Sequence, residues 1–138
     1  MRFKYNAAGE SLVTEILPRF SKFERKDSNA RRKSQVLAVN FDTLFVMMGL
    51  NENFSIPRLE RFLVLAEDLG EASVVVVLTK ADLVDFDYAL KTANELSEKY
   101  GVQVFAVSSI DGTGLEELKK FVAPGKTVAF VGSSGVGK

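Results

Sequence analysis

From Thr43 to Val131 short apolar runs alternate with longer segments whose apolar residues recur at helical spacing. That alternation leaves few folds open. The short runs are Thr43–Met48 (TLFVMM), Ser73–Leu78 (SVVVVL), Gln103–Val107 (QVFAV) and Thr127–Val131 (TVAFV). SVVVVL is β-branched without polar alternation, the pattern of a strand covered on both faces. Ser55–Leu69 places Leu59, Phe62, Leu63, Ala66 and Leu69 on one helical face, closed by Gly70. Phe86–Tyr100 does the same with Phe86, Ala89, Leu90, Ala93, Leu96 and Tyr100, and Gly101 stops it. Thr113 and Glu116 have capping-box spacing and open a predicted helix through Val122. Pro124–Gly125 then turn the chain. The order β-α-β-α-β-α-β predicts an α/β fold: a parallel sheet with right-handed crossovers and helices packed on its faces.

Residues 1–40 differ in kind. They show strand-like patches at Leu12–Leu17 and Gln35–Val39 and predict a small β unit, or part of one, ahead of a second unit over 41–138. The chain of 138 residues carries no formal net charge, yet its first forty residues hold nine of the eighteen Lys/Arg and four of the eighteen Asp/Glu. The two parts therefore stand at +5 and −5. Seven of the basic residues fall between Arg19 and Lys33, with Phe20 and Phe23 among them. A basic segment of this kind points to an anionic partner, RNA included; a solvated basic face is the alternative. The absence of cysteine excludes disulfides and thiolate chemistry, and the absence of histidine removes the commonest general base and most zinc sites. No apolar stretch approaches the roughly twenty residues of a membrane span, and the start lacks a signal-peptide core. No membrane partner and a cytoplasmic location are the expectations.

In open α/β sheets the ligand sits beyond the carboxyl ends of the strands, and three of the four predicted strands run there into loops of distinctive chemistry. The last loop, Gly132-Ser133-Ser134-Gly135-Val136-Gly137-Lys138, reads G-x-x-x-x-G-K. Its glycines let backbone N–H groups curl around phosphate oxygens, and Lys138 would reach the β- and γ-phosphates. A flexible glycine-rich tail is the alternative. The loop after SVVVVL is Thr79-Lys80-Ala81-Asp82, a [N/T]-K-x-D base-recognition pattern. A carboxylate only accepts, so Asp82 would pair with the N1–H and amino group of guanine, whereas adenine offers no donor at N1. Lys80 would lay its stem against the base. A solvated lysine and a helix-capping aspartate would give the same letters. The third loop, Ser108-Ser109-Ile110, has small residues that would let a backbone N–H approach the guanine O6, although serine-rich turns are common at strand ends. One strand-helix period separates successive loops, and all three lie on one edge of one sheet. Together they predict a guanine-nucleotide site.

The order of the loops is unusual. A GTPase ordinarily begins with its phosphate loop and ends with its guanine-reading loops, whereas here T-K-x-D and S-S come first. The pocket needs the loops adjacent in space, in any chain order. This permuted order, with the stretch VNFDTLFVMMGLNENFSIPRLERFLVLAEDLG before T-K-A-D-L, resembles the RsgA/YjeQ family of circularly permuted GTPases over almost the whole chain. LPRFSKFERKDSNARRKSQVLAVN is similar to the tail of that family's N-terminal OB domain.

The resemblance implies a partial, circularly permuted P-loop GTPase domain preceded by part of an OB-like, RNA-binding β domain. It implies GTP/GDP as ligand and the small ribosomal subunit and its rRNA as partners. The activity implied is GTP hydrolysis in assembly of that subunit, with Lys138 as the charge-stabilising catalytic residue. A Mg²⁺-holding Ser or Thr is expected directly after Lys138, and the switch segments and the family's zinc-binding C-terminal domain beyond it. None of these lies within the sequence, so the chain reads as truncated, holds no metal ligand, and alone is expected to hydrolyse GTP weakly or not at all. A non-catalytic rRNA- or ribosome-binding fragment is the competing reading, and an ATP-using P-loop protein a third that Asp82 argues against. A sheet ordered last-first-second-third would leave the final strand as an edge, and self-association through it is expected.

Overall fold

The computed structural model describes residues 2–6, 9–25 and 34–137. Eight strands occur among them: β1 (Arg2–Tyr5), β2 (Ser11–Glu15), β3 (Lys22–Arg25), β4 (Gln35–Val39), β5 (Thr43–Gly49), β6 (Ser73–Thr79), β7 (Gln103–Ala106) and β8 (Val128–Gly132). β5 to β8 form one parallel sheet in the order β7-β6-β5-β8, so the last strand is an edge, as the predicted order requires. The helices are α1 (Ile56–Leu65), α2 (Phe86–Tyr100) and the short α3 (Leu115–Leu118), which continues as a 3₁₀ turn over Lys119–Phe121.

Crossover handedness assigns the helices to faces. The steps β5→β6 and β6→β7 move in the same direction across the sheet, so right-handed crossovers put α1 and α2 on one side. The return from β7 to β8 runs the other way and puts α3 on the opposite side. The side chains follow this division. Leu44, Val46, Met48, Val76 and Leu78 pack with Leu59 of α1 and Ala89, Ala93 and Leu96 of α2. Phe45, Met47, Val75 and Val77 pack on the other face with Leu118, Phe121 and Val136. Register carries this across the strands, with Val46 opposite Val76 and Val131, and Phe45 opposite Val75 and Phe130. All seven residues of β5 are buried.

α2 occupies the predicted span, capped by Asp85, whose carboxylate accepts from the Asp87 and Tyr88 amides at 2.9 and 3.3 Å. Two predicted helices come out differently. The one expected over Ser55–Leu69 ends at Leu65, because the chain turns so that Gly70 can reach the N-terminal segment. Gly70 has φ +76°, and a Cβ there would stand 2.5 Å from the Phe20 carbonyl oxygen. Leu69 stays in the core nevertheless, 4% exposed. The capping box at Thr113 does not form. Gly114 is the N-cap in a left-handed conformation without a side-chain bond, and one turn of α-helix follows. Thr113 is engaged elsewhere, its amide donating to Asp111 and its carbonyl accepting from Ser108.

Among the described residues β1 pairs only with β2, and β3 only with β4, both antiparallel. β1 and β3 were not expected from the sequence. The β3–β4 ribbon is joined closely to the sheet. Phe23 is 1% exposed within the α1–α2 core. The Ser21 hydroxyl donates to the Phe41 carbonyl at 2.6 Å and accepts from the Phe41 amide at 2.7 Å. Lys22 and Glu71 exchange backbone bonds with Leu69 and Phe20 on either side of Gly70. Among the described residues no helix is long and apolar enough to cross a membrane.

Candidate functional site

All four sheet strands are parallel, so their carboxyl ends and the loops that follow lie on one edge. Strand order sets the loops side by side: Ser108–Ile110 after β7, Thr79–Asp82 after β6, Leu50–Ser55 after β5 and Gly132–Gly137 after β8. The three loops singled out in the sequence are thus brought together, with a fourth among them. Lys138 lies outside the described residues.

The loops are stitched to one another by hydrogen bonds. The Thr79 hydroxyl, buried, donates to the Val136 carbonyl at 2.7 Å and ties the Thr79–Asp82 loop to the Gly132–Gly137 loop. The Ala81 amide donates to the Val107 carbonyl at 3.0 Å, and the Leu50 amide to the Thr79 carbonyl at 2.8 Å. Ser108, fully buried, donates its hydroxyl to the Asp82 carboxylate at 2.7 Å. The same Ser108 oxygen accepts from the Ile110 amide at 3.1 Å, so the serine is fixed from behind while it aims the exposed carboxylate. In this turn the Ser108 and Ile110 amides are engaged. The Ser109 amide, between them, makes no bond among the described residues, and Ser109 lines the cavity below the loops. Asp111 braces the turn; bonds from the Thr113 amide and hydroxyl hold its carboxyl below the ordinary aspartate value.

The phosphate loop is shaped by what glycine permits. Gly135 and Gly137 have φ of +77° and +85°, conformations that side chains disfavour. Gly132 is a matter of space, since a Cβ there would lie 2.6 Å from the Met47 carbonyl. Val136 turns inward, 3% exposed, and anchors the loop on the α3 face of the sheet. Below lies a cavity of about 260 Å³ bounded by Thr79, Lys80, Ser109, Gly135, Val136 and Gly137, with Phe45, Met47 and Val77 in its floor. Lys80 has φ +61°, one of two non-glycine residues with positive φ among those described. Backbone strain of this kind persists where the surroundings over-determine a conformation, and such places cluster at ligand sites.

A larger cavity, about 710 Å³, reaches these loops at Gly132. It runs along the outer edge of β8, between the β3–β4 ribbon and α1. Of the basic run between Arg19 and Lys33, Arg19, Lys22 and Arg25 are described, and Lys26, Arg31, Arg32 and Lys33 lie outside the described residues. Phe23 points into the core, so of the two interleaved phenylalanines only Phe20, 42% exposed, is at the surface.

Sequence reasoning missed the loop after β5 because no motif marks it. Its signal is positional: a strand paired between the phosphate-loop strand and the T-K-x-D strand must end among their loops.

A parallel sheet whose edge carries a G-x-x-x-x-G-K loop last in the chain, after the T-K-x-D and S-S loops, defines the class: a circularly permuted P-loop GTPase domain. Residues 16–138 match the RsgA GTPase family, and the chain belongs to it. It is 44% identical over 133 residues to the small ribosomal subunit biogenesis GTPase RsgA 2 of Lactiplantibacillus plantarum. That alignment covers 96% of this chain and 37% of the relative. The RsgA of Methanosarcina acetivorans is 37% identical over 131 residues, covering 94% and 35%. Among solved structures, YjeQ from Thermotoga maritima superposes with a TM-score of 0.69 at 28% identity over 99% of this chain and 45% of that one. YloQ, a circularly permuted GTPase, gives 0.64 at 27% identity over 98% and 44%. The chain thus spans little more than a third of the length of these curated relatives.

Proposed function

We propose that this chain supplies the guanine-nucleotide pocket of a GTPase that acts in biogenesis of the small ribosomal subunit. The observation that carries the reading is the Ser108–Asp82 pair. A buried hydroxyl holds an exposed carboxylate at 2.7 Å, and the Ser109 amide follows that serine directly in the chain. Acceptor and donor side by side complement guanine, whose N1–H and amino group donate and whose O6 accepts. Lys80 would lie along the base, the Gly132–Gly137 amides would cradle the phosphates of GTP or GDP, and Lys138 would stabilise charge on the transferred phosphoryl group. Mg²⁺ would assist at the phosphates, and no residue of this chain is assigned to it.

The proposal extends to the N-terminal part. Residues 1–40 are read as part of an OB-like unit facing rRNA, supported by the +5 charge of that segment and by exposed Phe3, Tyr5 and Phe20. The competing reading, a non-catalytic rRNA-binding fragment, rests on the same surface. A cytoplasmic location follows from the ribosomal role. Self-association through the outer edge of β8, where Phe130 is 49% exposed, is read from the unpaired edge; light scattering that finds only a monomer removes it.

The test is a titration of the purified chain with a fluorescent GDP analogue, competed by GTP, GDP and ADP. Displacement by guanine nucleotides alone is expected. Asp82→Asn should shift preference from guanine to xanthine nucleotides by about a hundredfold, as paired hydrogen bonds reverse. Unchanged base preference would remove Asp82 from the site, and a folded chain that binds RNA but no nucleotide would favour the competing reading.

A further inference from the structure

The loop after β5 approaches the T-K-x-D loop at one residue. Gly49 ends β5 and is buried, and its φ is not in the left-handed region. Its lack of a side chain is therefore a matter of space. A Cβ on Gly49 would stand 2.9 Å from the Asn51 Oδ1 and 3.6 Å from Cδ of Lys80. The Asn51 carboxamide and the Lys80 stem thus converge on one notch, which only glycine leaves open. Asn51 is itself fixed. Its Oδ1 accepts from the Asn53 amide at 3.3 Å, and the Leu50 amide before it is bonded to the Thr79 carbonyl. Lys80, for its part, leaves a left-handed backbone position that sends its stem back over the end of β5.

We propose that Asn51, seated over Gly49, is a positioning residue that confines the Lys80 side chain to the conformation in which its stem meets the guanine base. This rests on the nucleotide-binding reading of the site. A lysine stem carries some of the largest rotamer entropy of any side chain. Restricting it before the ligand arrives removes that ordering cost from binding. Asp82, not Lys80, reads the edge of the base, so Asn51 contributes to affinity and not to the choice of base.

The experiment is a double-mutant cycle on the purified chain, read by titration with the fluorescent GDP analogue. Asn51→Ala should weaken binding about fivefold, and Gly49→Val, which fills the notch, by about tenfold or more. Both should keep the parent's guanine-over-xanthine preference and its far-ultraviolet spectrum. In a Lys80→Ala background, Asn51→Ala should be silent, because there is no stem left to confine. Asn51→Asp retains the acceptor for the Asn53 amide and should return binding to within about twofold of the parent. An Asn51→Ala loss that persists undiminished without Lys80 would overturn the positioning role, as would Asn51→Ala binding as tightly as the parent. A folded parent chain that binds no GDP would bring down the nucleotide reading, and this assignment with it; that outcome shows already in the unmutated chain.

Discussion

β5 and β2 make the sharpest contrast in the molecule. Each is a short strand with consecutive apolar residues, TLFVMMG and SLVTE, yet every residue of β5 is buried and every residue of β2 exposed. The difference is partnership. β5 has a parallel neighbour on each side and helices over both faces, whereas β2, among the described residues, has one antiparallel neighbour and no cover. Leu12 is 70% exposed within β2, while Leu44 is fully buried within β5. A two-stranded ribbon alone is marginal in water, so the sheet supplies the cohesion and the ribbon follows it. β3 and β4 stand between these cases: also a two-stranded ribbon, but pinned to the sheet's core by Phe23.

The largest predicted effect tests that ranking directly. Phe45→Ala removes a ring that meets Phe121 and Phe130 edge-on, with centroids 5.7 and 5.3 Å away. It should cost about 3–5 kcal/mol in urea unfolding. Phe23→Ala should cost a similar about 3–5 kcal/mol although it lies in a ribbon, because its side chain is buried in the core on the sheet's α1–α2 face. Leu12→Ala should change stability by no more than about 0.5 kcal/mol. A Leu12 effect as large as that of Phe45 would mean that β1–β2 is packed in solution, and the contrast would fall.

The next effect lies at the seam. Gly70 combines a left-handed backbone with the close approach of the Phe20 carbonyl, and the Ser21–Gly70 bridge forms there. Gly70→Ala forces the two segments apart and should cost about 1–3 kcal/mol. Amide exchange should quicken in Lys22–Arg25 and Gln35–Val39 before it quickens in β5 or β6. Uniform quickening would make the ribbon and the sheet one cooperative unit.

How much of this the sequence disclosed follows the same division. β5, β6 and α2 were legible because burial on both faces, or on one helical stripe, imposes a pattern that neighbouring elements do not alter. β1 (RFKY) and β3 (KFER) were not, since charged residues interrupt them and their pairing depends on partners far along the chain. Of the loops that strand order brings together, those carrying Asp82, Ser108 and Gly132–Gly137 were legible as motifs. Asn51 was not, because its place arises from strand order alone. The capping-box spacing at Thr113 misled, since the turn after Ser108 recruits that residue's backbone first.

The smallest effect tests the sheet's cover on its α1–α2 side. Glu60 on α1 receives a hydrogen bond from the Tyr100 hydroxyl at 2.6 Å and one from Lys99 at 3.2 Å, joining α1 to the end of α2. These bonds, Tyr100's first, hold the Glu60 carboxyl below its ordinary value of 4.5. A depressed folded-state value means that the pair's contribution is complete above about 4.5 and is lost as pH falls through the lower folded value. Tyr100→Phe should therefore lower the urea midpoint slightly near pH 7, and the difference should shrink as the pH falls below 4.5. Added salt should weaken the Lys99 contact on this exposed surface and leave most of the Tyr100 effect. A Tyr100→Phe difference that stays constant across that pH range would show that the ring's packing, and not its bond to Glu60, ties the two helices together.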